Sequence, residues 1–230
     1  MENRVEGLHH LAISTTDIKK QIEFFTDKLG MELIALYWMH GAKETWHGFL
    51  RMNDESSVAF VQSPKIASIP ASMGATHAGN PTAPSAGGTT QHIALKVKDM
   101  DVLAVMQQRL RSKGVPVLGP VDHGFCQSIY FAGPEGLALE LSCSEKPIEP
   151  EKWIDPDVVG RAGISADELV RYRNPPRFVP PVHPVDQPGP DAPGPHMTNY
   201  PPGIYEKLIA LSDKEVWDAS ESAPPVKDEL

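Results

Sequence analysis

The sequence predicts an α+β fold: two βαβββ modules forming a cupped mixed sheet, followed by a proline-rich extended C-terminal arm. Three observations predict it. The first is an internal repeat, in which "HLAISTTDIKKQIEFFTDKLG" from His10 matches "HIALKVKDMDVLAVMQQRLRSKG" from His92. The second is that three short runs of strand character follow each copy. The third is the distribution of proline, with 16 of the 23 prolines after residue 145.

Each copy opens with His, an apolar residue, Ala and a second apolar residue, and each places Asp seven residues after the His (Asp17, Asp99). Helical periodicity follows, through Ile18, Ile22, Phe25 and Leu29 in one copy and Met100, Leu103, Val105, Met106 and Leu110 in the other. Both helices stop near a glycine, Gly30 or Gly114, the residue that tolerates the left-handed conformation past a helix C-terminus. The strands "MELIALYWMH", "TWHGFLRM" and "SVAFVQ" complete the first module, and "VPVLG", "FCQSIYFA" and "LALELS" the second. The modules are placed at 5–64 and 88–145, within a domain of residues 1–145. Between them, 63–90 is small-residue rich and aperiodic, a long linker. The arm, 146–230, holds "NPPRFVPPVHPVDQPGPDAPGPH", which can be neither helix nor central strand. Ser165–Tyr172, with Ser165 as N-cap, and Tyr205–Ala219 read as short helices. The arm's six spaced aromatics argue for packing on its own domain or on a second subunit, and hence for a homodimer.

Composition narrows the function. A net charge of −9 without a basic cluster speaks against a nucleic-acid partner. No apolar run is long enough to span a membrane, and the charged start "MENRVEG" lacks the apolar segment of a secretory signal. A cytoplasmic location is expected, with Cys126 and Cys143 as reduced thiols. The final "KDEL" resembles an ER-retention address, here taken as chance.

Strand alternation separates the histidines. His10, Ala12 and Ser14 share one face of the first strand, and His92, Ala94 and Lys96 share the equivalent face of the second module. The opposite, apolar faces must pack on the helices, so His10 and His92 line the concave side. His9 has no counterpart, since Gln91 stands there, and reads as a strand-edge residue. In "LALELS" the leucines face the helix, leaving Glu140 on the concave side. An unpaired carboxylate at such a position is costly. Two histidines and a carboxylate are the donor set associated with non-haem Fe(II).

At these residues the sequence resembles the vicinal oxygen chelate superfamily, which includes glyoxalases, bleomycin-resistance proteins, methylmalonyl-CoA epimerases and type I extradiol dioxygenases. The resemblance covers residues 7–145 through "HHLAISTTD…FFTDKLGMEL", "QHIALKV" and "YFAGPEGLALEL". It implies a divalent metal, Fe(II) first and Mn, Zn or Ni as alternatives, held by His10, His92 and Glu140. Isomerases of the family add a Gln or Glu in the last strand of the first module. Aligning "SSVAFVQSP" with "GLALELSCS" puts Phe60 at that position, lining the cup, with Gln62 on the same face. Three protein ligands leave about three octahedral positions for a small-molecule substrate and O₂, as in extradiol enzymes. Tyr130, ten residues before Glu140, matches a tyrosine that extradiol enzymes place near a metal-bound substrate oxygen. His123, in the loop before it, is an acid–base candidate. The acid–base His that extradiol enzymes carry at the start of the first module's last strand is replaced by Ser56 and Ser57, and His47 could substitute. The expected activity is ring cleavage of a catechol-like aromatic. The alternatives are an isomerase, epimerase or lyase stabilising an enediolate, and a drug-binding resistance protein.

Overall fold

The structure, a computed structural model, describes residues 5–227. Residues 1–4 and the last three residues of the KDEL-like end lie outside it. The first module comprises β1 (His10–Ser14), α1 (Ile18–Asp27), β2 (Glu32–Trp38), β3 (Trp46–Arg51) and β4 (Ser57–Gln62), in sheet order β1-β4-β3-β2. After a short α2 (Pro64–Ala67) and the linker, the second comprises β5 (Ile93–Lys96), α3 (Met100–Ser112), β6 (Leu118–Asp122), β7 (Gln127–Ala132) and β8 (Ala138–Cys143), in order β5-β8-β7-β6. In each sheet the first strand runs parallel to the last and the other pairs are antiparallel. These are the two βαβββ modules the repeat predicts.

The repeat aspartates start the helices. Asp17 accepts from the Lys20 N–H and Asp99 from the Val102 N–H, each at 3.0 Å, satisfying donors that a helix start leaves open. The ends are equally matched, with Gly30 at φ +78° and Gly114 at φ +76°.

Helix-facing side chains of both modules share one apolar core. It contains Phe25, Leu50, Val58 and Phe60 from the first, and Leu103, Leu110, Ile129 and Leu139 from the second. Phe25 is 1% exposed and meets the Phe60 ring edge-on at 5.1 Å. Polar contacts join the same sides. The Glu135 carboxylate, in the turn between β7 and β8, accepts from the Thr15 hydroxyl, the Thr16 N–H and hydroxyl, and the Gln21 amide at the start of α1. Arg109 of α3 donates to the Asp27 carbonyl at 2.8 Å, at the other end of α1.

Residues 6–165 form one compact unit. Its last 20 residues carry α4 (Pro150–Trp153) and α5 (Pro156–Arg161), and Trp153 packs edge-on against Phe125 at 4.8 Å. From Ala166 a second unit begins, with α6 (Ala166–Arg173), α7 (Ile204–Ile209) and α8 (Asp213–Asp218). The expected helix Tyr205–Ala219 is thus two helices. Ser212 interrupts it by capping α8, in a capping box with Glu215. No helix among the described residues is long and apolar enough to cross a membrane.

Candidate functional site

The second module builds a polar cluster on its concave face. Antiparallel pairing sets Tyr130 opposite Glu140, and parallel pairing sets Ala94 on the other side of Glu140. Glu140 is 4% exposed. Its Oε2 lies 3.0 Å from Nε2 of His92, and its Oε1 accepts from the Ser128 hydroxyl. Ser128, fully buried on β7, is a contact that sequence reasoning did not single out; its concave facing was legible, but nothing in "FCQSIYFA" marks it as a partner of Glu140. Gln91 Oε1 contacts Nδ1 of His92 and so takes that nitrogen's hydrogen. The other ring nitrogen, Nε2, then faces the Glu140 carboxylate. The 3.0 Å spacing suits a hydrogen bond and a shared cation alike. Two ligands about 2.1 Å from a metal and at right angles to each other stand about 3.0 Å apart.

Tyr130 and His123 extend this cluster. The Tyr130 hydroxyl and His123 Nε2 are 2.8 Å apart. Burial first, and the Glu140 charge second, push the Tyr130 phenol above its ordinary pKa, so it remains protonated and able to donate at neutral pH.

The first module presents a different face. His10 is exposed; its Nδ1 lies 2.9 Å from Nδ1 of His9, and its ring is 5.4 Å from Phe49 and 6.4 Å from His47. His47 sits opposite Val61 and Tyr37, on the same face as His10. It is buried, and its Nε2 has no hydrogen-bond partner. Burial, and then the neighbouring His10, lower its pKa. Among the described residues no three His, Cys, Asp or Glu side chains come together as a metal site. One chain therefore brings His92 and Glu140 together and leaves His10 in the other half-cup.

The fourth-ligand alignment is corrected by the register. Ala12 pairs with Ala59, and Ala59 with Phe49, as Ala94 pairs with Glu140 and Glu140 with Tyr130. Ala59 is the counterpart of Glu140. Phe60 lies one residue on and faces the helix, in the core rather than the cup. Gln62 shares that side, and its Oε1 accepts from the Ile18 N–H at 2.6 Å. It caps α1 and is not a candidate ligand.

The sequence model of the Glyoxalase/Bleomycin resistance protein/Dioxygenase superfamily matches residues 7–141. An iron-dependent extradiol dioxygenase of Rhodococcus jostii (strain RHA1) is 24% identical over 161 residues, 65% of this chain and 47% of the relative. The chain thus spans about half the length of the curated relative it matches. Among solved structures, an integron cassette protein from the mobile metagenome of the Halifax Harbour sewage outfall is 25% identical, over 60% of this chain and 99% of its own, with TM-score 0.44. A glyoxylase/bleomycin resistance protein/dioxygenase domain from Frankia sp. EAN1pec is 14% identical, over 62% and 100%, with TM-score 0.48. With more than half of its length matched by the family model, the chain belongs to the Glyoxalase/Bleomycin resistance protein/Dioxygenase superfamily.

Proposed function

We propose that this chain is a metal-dependent enzyme of the extradiol type, cleaving the ring of a catechol-like aromatic with Fe(II) and O₂. The observation that carries the reading is the linked set His92–Glu140–Ser128 beside Tyr130–His123 on one concave face. The iron dependence and extradiol activity of the Rhodococcus relative support it. An Fe(II) ion at His92 and Glu140 would act as a Lewis acid on the two adjacent oxygens of the substrate.

The chain's own groups have defined tasks in this reading. Ser128 holds one oxygen of Glu140 and leaves the other facing His92. Gln91 fixes the His92 tautomer, as partners of ligating histidines commonly do. Tyr130 donates its phenolic hydrogen to a substrate oxygen, and His123, bonded to that phenol, passes protons to water. Ala59 at the counterpart of Glu140 offers no fourth donor, which weighs against the isomerase alternative. The intact His92–Glu140 pair weighs against a metal-free binding protein.

The test is anaerobic loading with Fe(II), followed by oxygen uptake across a panel of catechols. Uptake with a ring-opened, yellow product is expected. No uptake, with turnover of a hemithioacetal or an epimerisable acyl thioester instead, would move the chain to the isomerase class.

A further inference from the structure

The His123 imidazole reaches Tyr130 from a short exposed loop, and a side chain from beyond the last strand rests on the tip of that loop. Resting on the extradiol reading above, we infer that Trp153 is a positioning residue for the Tyr130–His123 pair: its indole clamps the loop between β6 and β7 and keeps the imidazole on the phenol.

The loop itself shows why a clamp is needed. β6 and β7 close at the pair Asp122–Gln127, which leaves His123, Gly124, Phe125 and Cys126 as the turn. Local hydrogen bonds set the shape of this turn. The Asp122 carboxylate accepts from the Gly124 N–H at 2.8 Å and from the Gln127 amide at 3.0 Å, and the His123 N–H donates to the Cys126 carbonyl at 2.9 Å. All of these partners lie within the hairpin, so they do not fix how its tip tilts against the sheet. A small tilt would carry His123 Nε2 away from the Tyr130 hydroxyl, 2.8 Å distant. Unsupported loop tips move on the nanosecond to microsecond scale.

Trp153 supplies the outside support. Its Cζ2 and Cη2 atoms stand 2.9 Å from where a Gly124 Cβ would be, and its ring meets Phe125 edge-on at 4.8 Å. Gly124 has φ +82°, so the position demands glycine twice, for the backbone and for the indole against it. The strap that carries the indole is stiff. It leaves β8 at Cys143, contains Pro147 and Pro150, and ends in the single turn of α4, which Pro150 opens and Trp153 closes. The rest of the strap stands off the hairpin, where Gln127, Glu145, Pro147 and Glu149 line a cleft of about 270 Å³. The indole bridges to the loop across this gap and remains 47% exposed, as a surface contact does and a core residue does not. The superfamily model ends at residue 141, so the clamp belongs to the part of the chain beyond the match.

Two readouts test the clamp, one of them independent of turnover. The first is the NMR signal of His123 Nε2 in the full-length protein with isotope-labelled histidine, at a pH where histidines are neutral, assigned by its absence in His123→Ala. Tyr130→Phe should shift this signal in the wild-type background. It should leave the signal unmoved in Trp153→Ala, where the bond to the phenol is already lost. Trp153→Phe, which keeps a ring against Gly124, should restore the response. The second readout is oxygen uptake with catechol and Fe(II). Trp153→Ala should lower kcat about 10-fold at unchanged KM, as displacement of a reacting group does. In His123→Ala, which alone costs about 100-fold or more, adding Trp153→Ala should change kcat by less than about twofold. A His123 signal that still responds to Tyr130→Phe in Trp153→Ala, or an equal loss of kcat with and without His123, overturns the clamp and leaves the functional reading intact. A wild type that consumes no oxygen, while the NMR response is lost in Trp153→Ala, overturns the extradiol reading and leaves the clamp standing.

Discussion

Replacing Glu135 by Gln should loosen the joint between the modules. The carboxylate receives four hydrogen bonds, from Thr15, Thr16 (twice) and Gln21, and Thr15 and Gln21 are 1% and 0% exposed. A glutamine keeps the size but turns an NH₂ group toward donors, so one or two buried donors lose their acceptor. Each such loss costs about 1–3 kcal/mol, and Glu135 itself is half-buried, which favours the lower part of that range. A net loss of about 2 kcal/mol lowers the melting temperature of a unit this size by roughly 4–8 °C. The effect depends on pH in a defined direction. Burial works to raise the Glu135 pKa, but the hydrogen bonds from Thr15, Thr16 and Gln21 outweigh it and hold the value below 4.5. A carboxylate with a depressed folded-state pKa contributes stability above its unfolded value and loses it as pH falls through the folded one. Melting curves at neutral pH should separate wild type from Glu135→Gln, and the gap should narrow below about pH 4.5. Equal melting temperatures at pH 7, or a gap unchanged in acid, would refute the reasoning.

Other positions give independent checks. Tyr130→Phe removes the phenolic donor and should lower kcat by about 100-fold or more while metal content stays at the wild-type level; an unchanged kcat would remove Tyr130 from the mechanism. Phe25→Ala deletes a ring that is 1% exposed and should cost about 3–5 kcal/mol in urea unfolding. Gly30→Ala places a Cβ 2.6 Å from the Arg109 guanidinium, at φ +78°. It should destabilise by about 1–2 kcal/mol, and unchanged unfolding would show that Arg109 swings aside without loss.

Much of the fold was legible because two signals reinforce each other. The repeat predicts both helices, and their aspartate caps and terminal glycines occupy the positions the pattern assigns. Alternation likewise put His10, His92 and Glu140 on concave faces, since each lies between residues that must pack on a helix. It failed where both faces of a strand are apolar. The middle of "SVAFVQ", Val58 to Val61, is apolar on both faces, and a one-residue slip put Phe60 in the cup in place of Ala59. Glu135 was readable only as part of a turn, because its three partner residues lie more than 100 residues away. The helices α4 and α5 went unpredicted because 146–230 reads as an extended arm on its proline content, yet Pro150 and Pro156 open them. Both stand at the first helical position, where proline's fixed φ and missing N–H cost nothing. The separation of His10 from His92 and Glu140 had no sequence signal at all, since equivalent places in a repeat do not say whether the two copies face one another.

The account rests most directly on the His92–Glu140 pair as part of a metal centre. Metal analysis of the full-length protein after anaerobic loading with Fe(II) measures this. The account predicts about one ion per chain in the wild type, and its loss in both His92→Ala and Glu140→Gln. Full occupancy in either variant would contradict it.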